Sequence, residues 1–196
     1  MGITLEKKQT ITLEKKGGGT LRKISMGLGW DAASSGGFFG KLLGGGGGEI
    51  DLDASCIVLD QNKSEIDSVW FGQLNSKDRS IKHSGDNRTG DGDGDDETIY
   101  VDLEQLYPQA KYLVFTVNSF TGQNFNSVKN AYCRIVDDGK NELARFNLSD
   151  QGSHTGLIMA YLTRNGAGWQ VTAVGEKTSG RSVRDLVPQA ATLVGA

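Results

Sequence analysis

Apolar and polar residues alternate along much of this chain with a period of two, which is the spacing of a half-buried β-strand. The hexapeptide Ile-Thr-Leu-Glu-Lys-Lys stands at 3–8 and again at 11–16, and its alternation predicts two strands or one hairpin. Further strands are predicted at 22–28, 50–59, 66–71, 98–103, 112–119, 131–136, 142–148, 157–162 and 169–174. Short strands separated by turns rich in Asp, Asn and Gly predict an all-β fold, an antiparallel β-sandwich of about ten strands.

The C-terminal segment, 180–196, is the one stretch with a helical period. Its apolar residues fall on a single stripe, and Pro188 is expected near a kink or boundary of the helix. The stripe consists of Val183, Leu186, Val187, Ala190 and Leu193. The segment is predicted to form a C-terminal helix and tail.

A Gly-rich segment at 34–48 interrupts the strand pattern and is predicted to be a loop insertion. It carries four large apolar residues, which a simple linker does not need. These are Phe38, Phe39, Leu42 and Leu43. They are expected either to fold back over the edge of the sandwich or to contact a partner protein or a membrane surface.

Composition narrows the class of protein. A chain of 196 residues with 37% hydrophobic content can build one ordinary core, so residues 1–196 are predicted to form a single domain. The N-terminal residues lack the pattern of a signal peptide, which predicts a cytoplasmic protein. Cys56 and Cys133 lie in apolar strand-like runs and are expected to be reduced, packed thiols. A net charge of −3 offers no basic footprint for nucleic acid.

The acidity of the chain is concentrated at 86–97, where five Asp and one Glu stand against a single Arg. Glycines alternate with the carboxylates, so the backbone can fold them around one point. Like charges crowded in this way destabilise a fold unless a cation neutralises them. Calcium takes six to eight oxygen ligands and is the natural partner. The run meets the EF-hand pattern only in part, because Asp96 stands where Gly is required.

Two further acidic positions are expected to converge on this run, since loops cluster at the ends of a sandwich. Asp31 ends one predicted strand, although a turn or cap role is the alternative for this residue. Asp51 and Asp53 open the next strand, and their spacing of two places both side chains on one face. The Gly-rich loop lies between these two positions, so a bound ion could order the base of the loop.

Several long blocks of this sequence resemble the signature blocks of the TerD family of bacterial tellurium-resistance and stress proteins. The blocks are 27–31, Gly-Leu-Gly-Trp-Asp; 50–55, Ile-Asp-Leu-Asp-Ala-Ser; and 83–97, which contains the acidic run. Two more, at 115–123 and 151–156, together with the Gly-rich loop, are most similar to the TerZ branch of the family. The resemblance covers nearly the whole chain.

The resemblance implies a cytosolic β-sandwich that binds calcium as part of a tellurite and stress-resistance system. We expect two calcium ions. It implies a pool of metal ligands on the matching positions. The pool is Asp31, Asp51, Asp53, Asp86, Asn87, Asp91, Asp93, Asp95, Asp96 and Glu97. Other proteins of the same resistance system are the expected partners, with contact at the inner membrane face through the apolar residues of the Gly-rich loop as a further expectation.

Three functions follow from these features. The first is a calcium-binding, non-enzymatic module that changes its surface or its partner affinity when the ion binds. The second is a structural adaptor whose calcium is constitutive. The third is a metal-dependent hydrolase, which would need His83 or His154 as its base, yet neither histidine lies in a metalloenzyme motif.

Overall fold

Two six-stranded sheets form the protein, as seen in a computed structural model that describes residues 2–32, 51–86, 94–119, 122, 124–148 and 152–195. The first sheet has the order β1-β10-β9-β3-β7-β6 and the second has the order β2-β12-β11-β8-β4-β5. All pairs are antiparallel except β1 with β10. The strands are β1 Ile3–Thr4, β2 Thr10–Leu13, β3 Lys23–Ala32, β4 Asp53–Leu59, β5 Glu65–Val69, β6 Ile81–His83, β7 Glu97–Asp102, β8 Tyr112–Asn118, β9 Val128–Asp137, β10 Glu142–Asn147, β11 Gly156–Asn165 and β12 Gly168–Thr178.

This architecture confirms the predicted antiparallel β-sandwich with a C-terminal helix. Each of the nine strands predicted after the repeat overlaps an observed strand. One observed strand, β6, was missed because Ile81–His83 is too short to display a period of two. A short 3₁₀ turn at Phe125–Ser127 precedes β9. The Gly-rich segment with Phe38, Phe39, Leu42 and Leu43 lies outside the described residues.

The two copies of the repeated hexapeptide belong to different sheets, so the hairpin alternative is wrong. The first copy supplies β1 at the edge of the first sheet, and the second supplies β2 at the edge of the second sheet. Leu5 and Leu13, the third residue of each copy, are both buried in the core between the sheets. Ile3 is 50% exposed, which shows that only one apolar residue of the first copy is needed as an anchor.

The main core lies between the sheets and is built from the inward residues of both. Cys56 and Cys133 are free thiols buried within it, as predicted. Burial raises the pKa of both thiols, in the case of Cys133 to about 12. Neither thiol is therefore ionised near neutral pH, and reactive cysteine chemistry is unfavourable.

A single α-helix, α1, covers the outer face of the second sheet within the described residues and spans Val183–Leu193. Val183, Leu186 and Ala190 of the predicted stripe are buried against β4, β8 and β11. Pro188 lies inside the helix rather than at a boundary. Pro188 has no N–H to donate to the carbonyl oxygen of Arg184, four residues earlier. Both residues are exposed, so water can reach this carbonyl in place of the missing donor. No described helix is both long and apolar enough to cross a membrane.

Candidate metal centre

Three carboxylates meet at one end of the sandwich, where strands of both sheets end. Asp51 and Asp53 lie at the start of β4 in the second sheet, and Asp86 follows β6 of the first sheet. One oxygen from each of the three lies within 4.8 Å of the others. Asp53 is buried, Asp51 is half-buried and Asp86 is exposed, so the group opens to solvent on one side. We refer to Asp51, Asp53 and Asp86 as the carboxylate cluster.

The spacing of the carboxylate cluster suits a calcium ion. Calcium binds oxygen at about 2.3–2.6 Å, so two ligands of one ion lie up to about 5 Å apart. Three negative charges held at this separation repel one another unless a cation intervenes. The donor set consists entirely of carboxylate oxygens, which calcium and magnesium prefer and which softer metals do not. The residues present therefore fit a hard divalent cation.

Glu97, a predicted ligand, braces the two sheets behind the cluster. One of its carboxylate oxygens accepts a hydrogen bond of 2.6 Å from the backbone N–H of Ala54, the residue after Asp53. Glu97 belongs to the first sheet and Ala54 to the second, so this bond joins the sheets. Because Glu97 is fully buried, its carboxylate holds the start of β4 in place.

His83 completes this brace from β6. The N–H of Gly85 donates to His83 Nδ1 at 3.0 Å, so Nδ1 carries no proton. His83 Nε2 then holds the proton of a neutral ring and donates it to the carbonyl oxygen of Ala54 at 3.1 Å. The same nitrogen lies 3.4 Å from Glu97 Oε2. The buried imidazole is thus committed to positioning β4, not exposed to a substrate.

Asp96 ties the acidic segment to the end of β3. Its Oδ2 accepts a hydrogen bond of 2.9 Å from the backbone N–H of Trp30, and its own N–H donates to the carbonyl oxygen of Leu28. Asp31, the residue after Trp30, lies in β3 opposite Lys129, just after an irregularity in the register of β3 with β9. The backbone of Asp31 therefore lies near Asp96, while its side chain is outside the described part of the structure.

Asp95, another predicted ligand, is turned away from the cluster onto the outer face of the first sheet. Its Oδ1 accepts hydrogen bonds from Arg134 Nε at 2.8 Å and from the Tyr132 hydroxyl at 3.1 Å. The hydrogen bond from Arg134 raises the pKa of the guanidinium, and burial together with Asp95 raises the pKa of Tyr132. The Asp95 carboxylate occupies the space that a Cβ on Gly27 would take. Asp95 is thus a structural ion-pair partner in this arrangement.

Of the ten predicted ligands, the structure brings Asp51, Asp53 and Asp86 together. It places Asp95, Asp96 and Glu97 in hydrogen bonds to Arg134, Trp30 and Ala54 respectively. Of the other four predicted ligands, Asp31 is described in its backbone alone, and Asn87, Asp91 and Asp93 lie outside the described residues.

Asn118 is a site residue that the sequence pattern did not indicate. It ends β8 directly opposite Asp53 in the sheet and is 2% exposed. Its amide nitrogen donates to the carbonyl oxygen of Arg181 at 2.7 Å, while its amide oxygen has no hydrogen-bond partner among the described residues. An amide oxygen is a good ligand for calcium. The strand register, which places Asn118 beside Asp53, is the signal that reveals this residue.

The contact between Gly27 and Asp95 predicts a specific dependence of stability on both residues. Gly27→Ala should lower the free energy of unfolding by about 1–3 kcal/mol, because the new Cβ overlaps the Asp95 carboxylate. In an Asp95→Ala background the same change should cost clearly less. Urea unfolding of the four proteins measures both costs.

Gly168→Ala is the matched control, since a Cβ there meets only the Asn165 carbonyl oxygen at 3.7 Å. It should cost less than Gly27→Ala. Equal costs for Gly27→Ala with and without the Asp95 carboxylate would contradict the placement of Asp95.

Known proteins resemble this chain along most of its length. Residues 1–189 match the TerD domain. The chain is 47% identical over 184 residues to the tellurium resistance protein TerZ of Serratia marcescens, covering 94% of each chain. It is 43% identical over 196 residues to the stress response protein SCP2 of Bacillus subtilis (strain 168), covering 95% of this chain and 98% of that protein.

A solved structure supports the fold. The crystal structure of a homologue of the telluride resistance protein TerD from Streptomyces coelicolor A3(2) matches with a TM-score of 0.68 at 20% sequence identity. The match covers 85% of this chain and 95% of that chain. The resemblance inferred from the sequence blocks is confirmed. The chain belongs to the TerD family, whose members include tellurium-resistance and stress-response proteins.

Proposed function

We propose that this protein is a calcium-binding, non-enzymatic module of a cytoplasmic tellurite and stress-resistance system. The observation that supports the proposal is the carboxylate cluster, in which oxygens of Asp51, Asp53 and Asp86 lie within 4.8 Å of one another. Family membership links the chain to tellurium resistance and stress response. Calcium binding and its consequences are the finer part of the proposal.

Calcium stabilises the folded chain because only the folded chain brings the three carboxylates together. Asp86 comes from one sheet and Asp51 and Asp53 from the other, so an ion between them joins the two sheets at this end. A ligand that binds only the folded state raises stability by about 2.7 kcal/mol at a concentration 100 times its Kd. Calcium therefore has the differential affinity that a switch requires.

Two calcium ions fit the proposal better than one, because the acidic segment supplies more oxygens than a single ion takes. Calcium accepts six to eight oxygens, and carboxylates can bind through one or both of theirs. Asp31, Asn87, Asp91 and Asp93 are the further ligands proposed from the sequence. Asn118 joins them because of its place beside Asp53.

A binding role rather than catalysis is supported by the two histidines. His83 is buried and both of its ring nitrogens lie within hydrogen-bonding distance of backbone groups. His154 is stacked on Phe125 with ring centroids 4.6 Å apart. General-base catalysis requires a base that reaches the substrate. The proposal therefore gives His83 a place in the brace and His154 a place in a ring stack, and it assigns neither of them a role as a base.

Calcium should raise the melting temperature by about 5–10 °C at 100 times its Kd, and EDTA should reverse the shift. Asp51→Asn with Asp86→Asn should abolish the response. The same double variant should be at least as stable as the natural chain in EDTA, because it removes like-charge repulsion. Differential scanning fluorimetry with calcium, magnesium and EDTA measures these effects.

The double variant Glu6→Gln/Glu14→Gln is the control, since it removes two charges from exposed positions near the N-terminus. It should keep the full calcium response. An unchanged melting temperature at millimolar calcium, in the natural chain, would rule out the proposed site.

Partner binding is proposed to depend on calcium. The cluster and the acidic segment repel anionic surfaces when no cation is bound, and calcium removes that repulsion. The Gly-rich loop with Phe38, Phe39, Leu42 and Leu43 begins and ends beside Asp31 and Asp51, so an ion bound there acts at the base of the loop.

Calcium should therefore increase binding both to anionic lipid vesicles and to proteins of the same resistance system at least several-fold over EDTA. Vesicle co-sedimentation and pull-down measure this binding for a variant in which the four apolar loop residues are changed to Ser. The chain with the unchanged loop is the control. Binding of equal strength in calcium and in EDTA would favour the constitutive adaptor instead.

A further inference from the structure

A concave surface lies on the outer face of the first sheet. Val136, Ser25, Tyr100 and Lys82 are direct cross-strand neighbours on β9, β3, β7 and β6, and they form one row across four strands. At about 4.8 Å per strand the row is about 14 Å long. It forms the floor of a cavity of about 580 Å³. We call this the outer cavity.

The outer cavity has an aromatic floor. Tyr100 is 50% exposed, and among the described residues it is one of three large apolar side chains that are exposed. Its neighbour Ser25 is small, so one side of the ring is not covered by a large side chain on β3. Val136, half-buried, continues the floor beyond Ser25. A flat apolar group of a ligand can stack on such a surface.

Four basic residues line the outer cavity, and three of them have no acidic partner. Lys23 pairs with Asp102 at 3.2 Å. Arg79, Lys82 and Lys140 have no carboxylate within 4.0 Å in the part of the chain that the structure describes. Three exposed cations thus surround an aromatic floor.

The acidic residues of the outer cavity are occupied elsewhere. Asp138 pairs with Lys15, which lies outside the cavity, at 2.7 Å. Asp137 is buried, and its Oδ1 accepts hydrogen bonds from Gly139 and from Asn141. Burial opposes ionisation of Asp137, but these hydrogen bonds outweigh it and lower its pKa. Asp102 also lines the cavity and pairs with Lys23. Four basic residues against three ionised carboxylates, those of Asp102, Asp137 and Asp138, leave the lining with a small excess of positive charge.

We propose that the outer cavity binds a small organic phosphate that carries a planar ring, of the nucleoside monophosphate class. The ring stacks on Tyr100, and the phosphate pairs with Arg79 and Lys82 at one wall, while Lys140 lines the far end of the cavity. A cavity of about 580 Å³ is within the size range of small-molecule sites. A small ligand is favoured over a nucleic acid strand because the chain as a whole carries a net charge of −3.

The outer cavity is separate from the carboxylate cluster. Glu97, at the start of β7, is part of the brace behind the cluster, whereas Asp102, at the end of β7, lines the cavity. The six residues of β7 span about 17 Å. Binding in the outer cavity is expected with or without calcium, so its test is independent of the proposed calcium site.

Isothermal titration of the EDTA-treated full chain at low salt tests the proposal with AMP, adenosine and inorganic phosphate as probes. AMP should bind at least 10-fold more tightly than either of its parts. Arg79→Gln with Lys82→Gln should weaken AMP binding at least 10-fold, the effect of losing roughly 1.4 kcal/mol of charge-assisted contacts. Tyr100→Ala should weaken it at least 5-fold, whereas Tyr100→Phe should retain it.

Arg184→Gln is the control, because it removes one exposed positive charge from α1 on the other sheet. It should leave AMP binding unchanged. All of these side chains are exposed, so melting temperatures should stay within about 2 °C of the natural chain.

Three results would overturn the proposal. The first is no AMP binding at millimolar concentration, and the second is AMP binding that the Arg79/Lys82 double variant retains in full. The third is binding of an RNA oligonucleotide at least 10-fold tighter than AMP and lost in the same variant, which would assign the surface to nucleic acid.

Discussion

Like-charge crowding at one end of the sandwich is the constraint on which the proposed function depends. Asp51 and Asp53 open β4 in one sheet and Asp86 follows β6 in the other, so the fold itself brings three carboxylates within 4.8 Å. Water screens such repulsion poorly around a buried group such as Asp53. The brace of Glu97 and His83 on Ala54 keeps the strand ends from separating. In the proposed function, a bound cation would convert this repulsion into a link between the sheets.

The first sheet carries different chemistry at its two ends and on its two faces. Its inner face contributes to the apolar core and, through Glu97, to the brace. Its outer face holds Asp95 against Arg134 near the acidic segment, and it carries Tyr100 and the exposed cations further along. Helix α1 covers the second sheet instead. The open face of the first sheet is therefore the surface to which we assign the proposed organic phosphate.

Local pattern predicted the strands, because alternation reports which face of a strand is buried without reference to the partner. It could not predict which strands pair, so the two copies of the hexapeptide were open to a hairpin although they lie at the edges of different sheets. The roles of the acidic residues also depended on distant contacts. Asp95 and Asp86 are both aspartates of the same acidic run, so the sequence does not distinguish their roles. In the structure Asp95 accepts a hydrogen bond from Arg134, 39 residues away, in the space that a Cβ on Gly27 would fill. Asn118 was identified as a candidate ligand only from the strand register, which places it opposite Asp53.

Calcium titration followed by ¹H–¹⁵N correlation spectroscopy tests the central claim most directly. The backbone amides of Ala54 and Gly85 form hydrogen bonds within the brace behind the cluster, and that of Trp30 bonds to Asp96 of the acidic segment, so their resonances should shift and saturate with calcium. At the opposite end of β8, the N–H of Lys111 donates to the Leu59 carbonyl oxygen and the N–H of Arg164 donates to the Lys111 carbonyl oxygen, so the resonances of these two amides should not move. Absence of saturable shifts at Trp30, Ala54 and Gly85 in millimolar calcium would contradict the account.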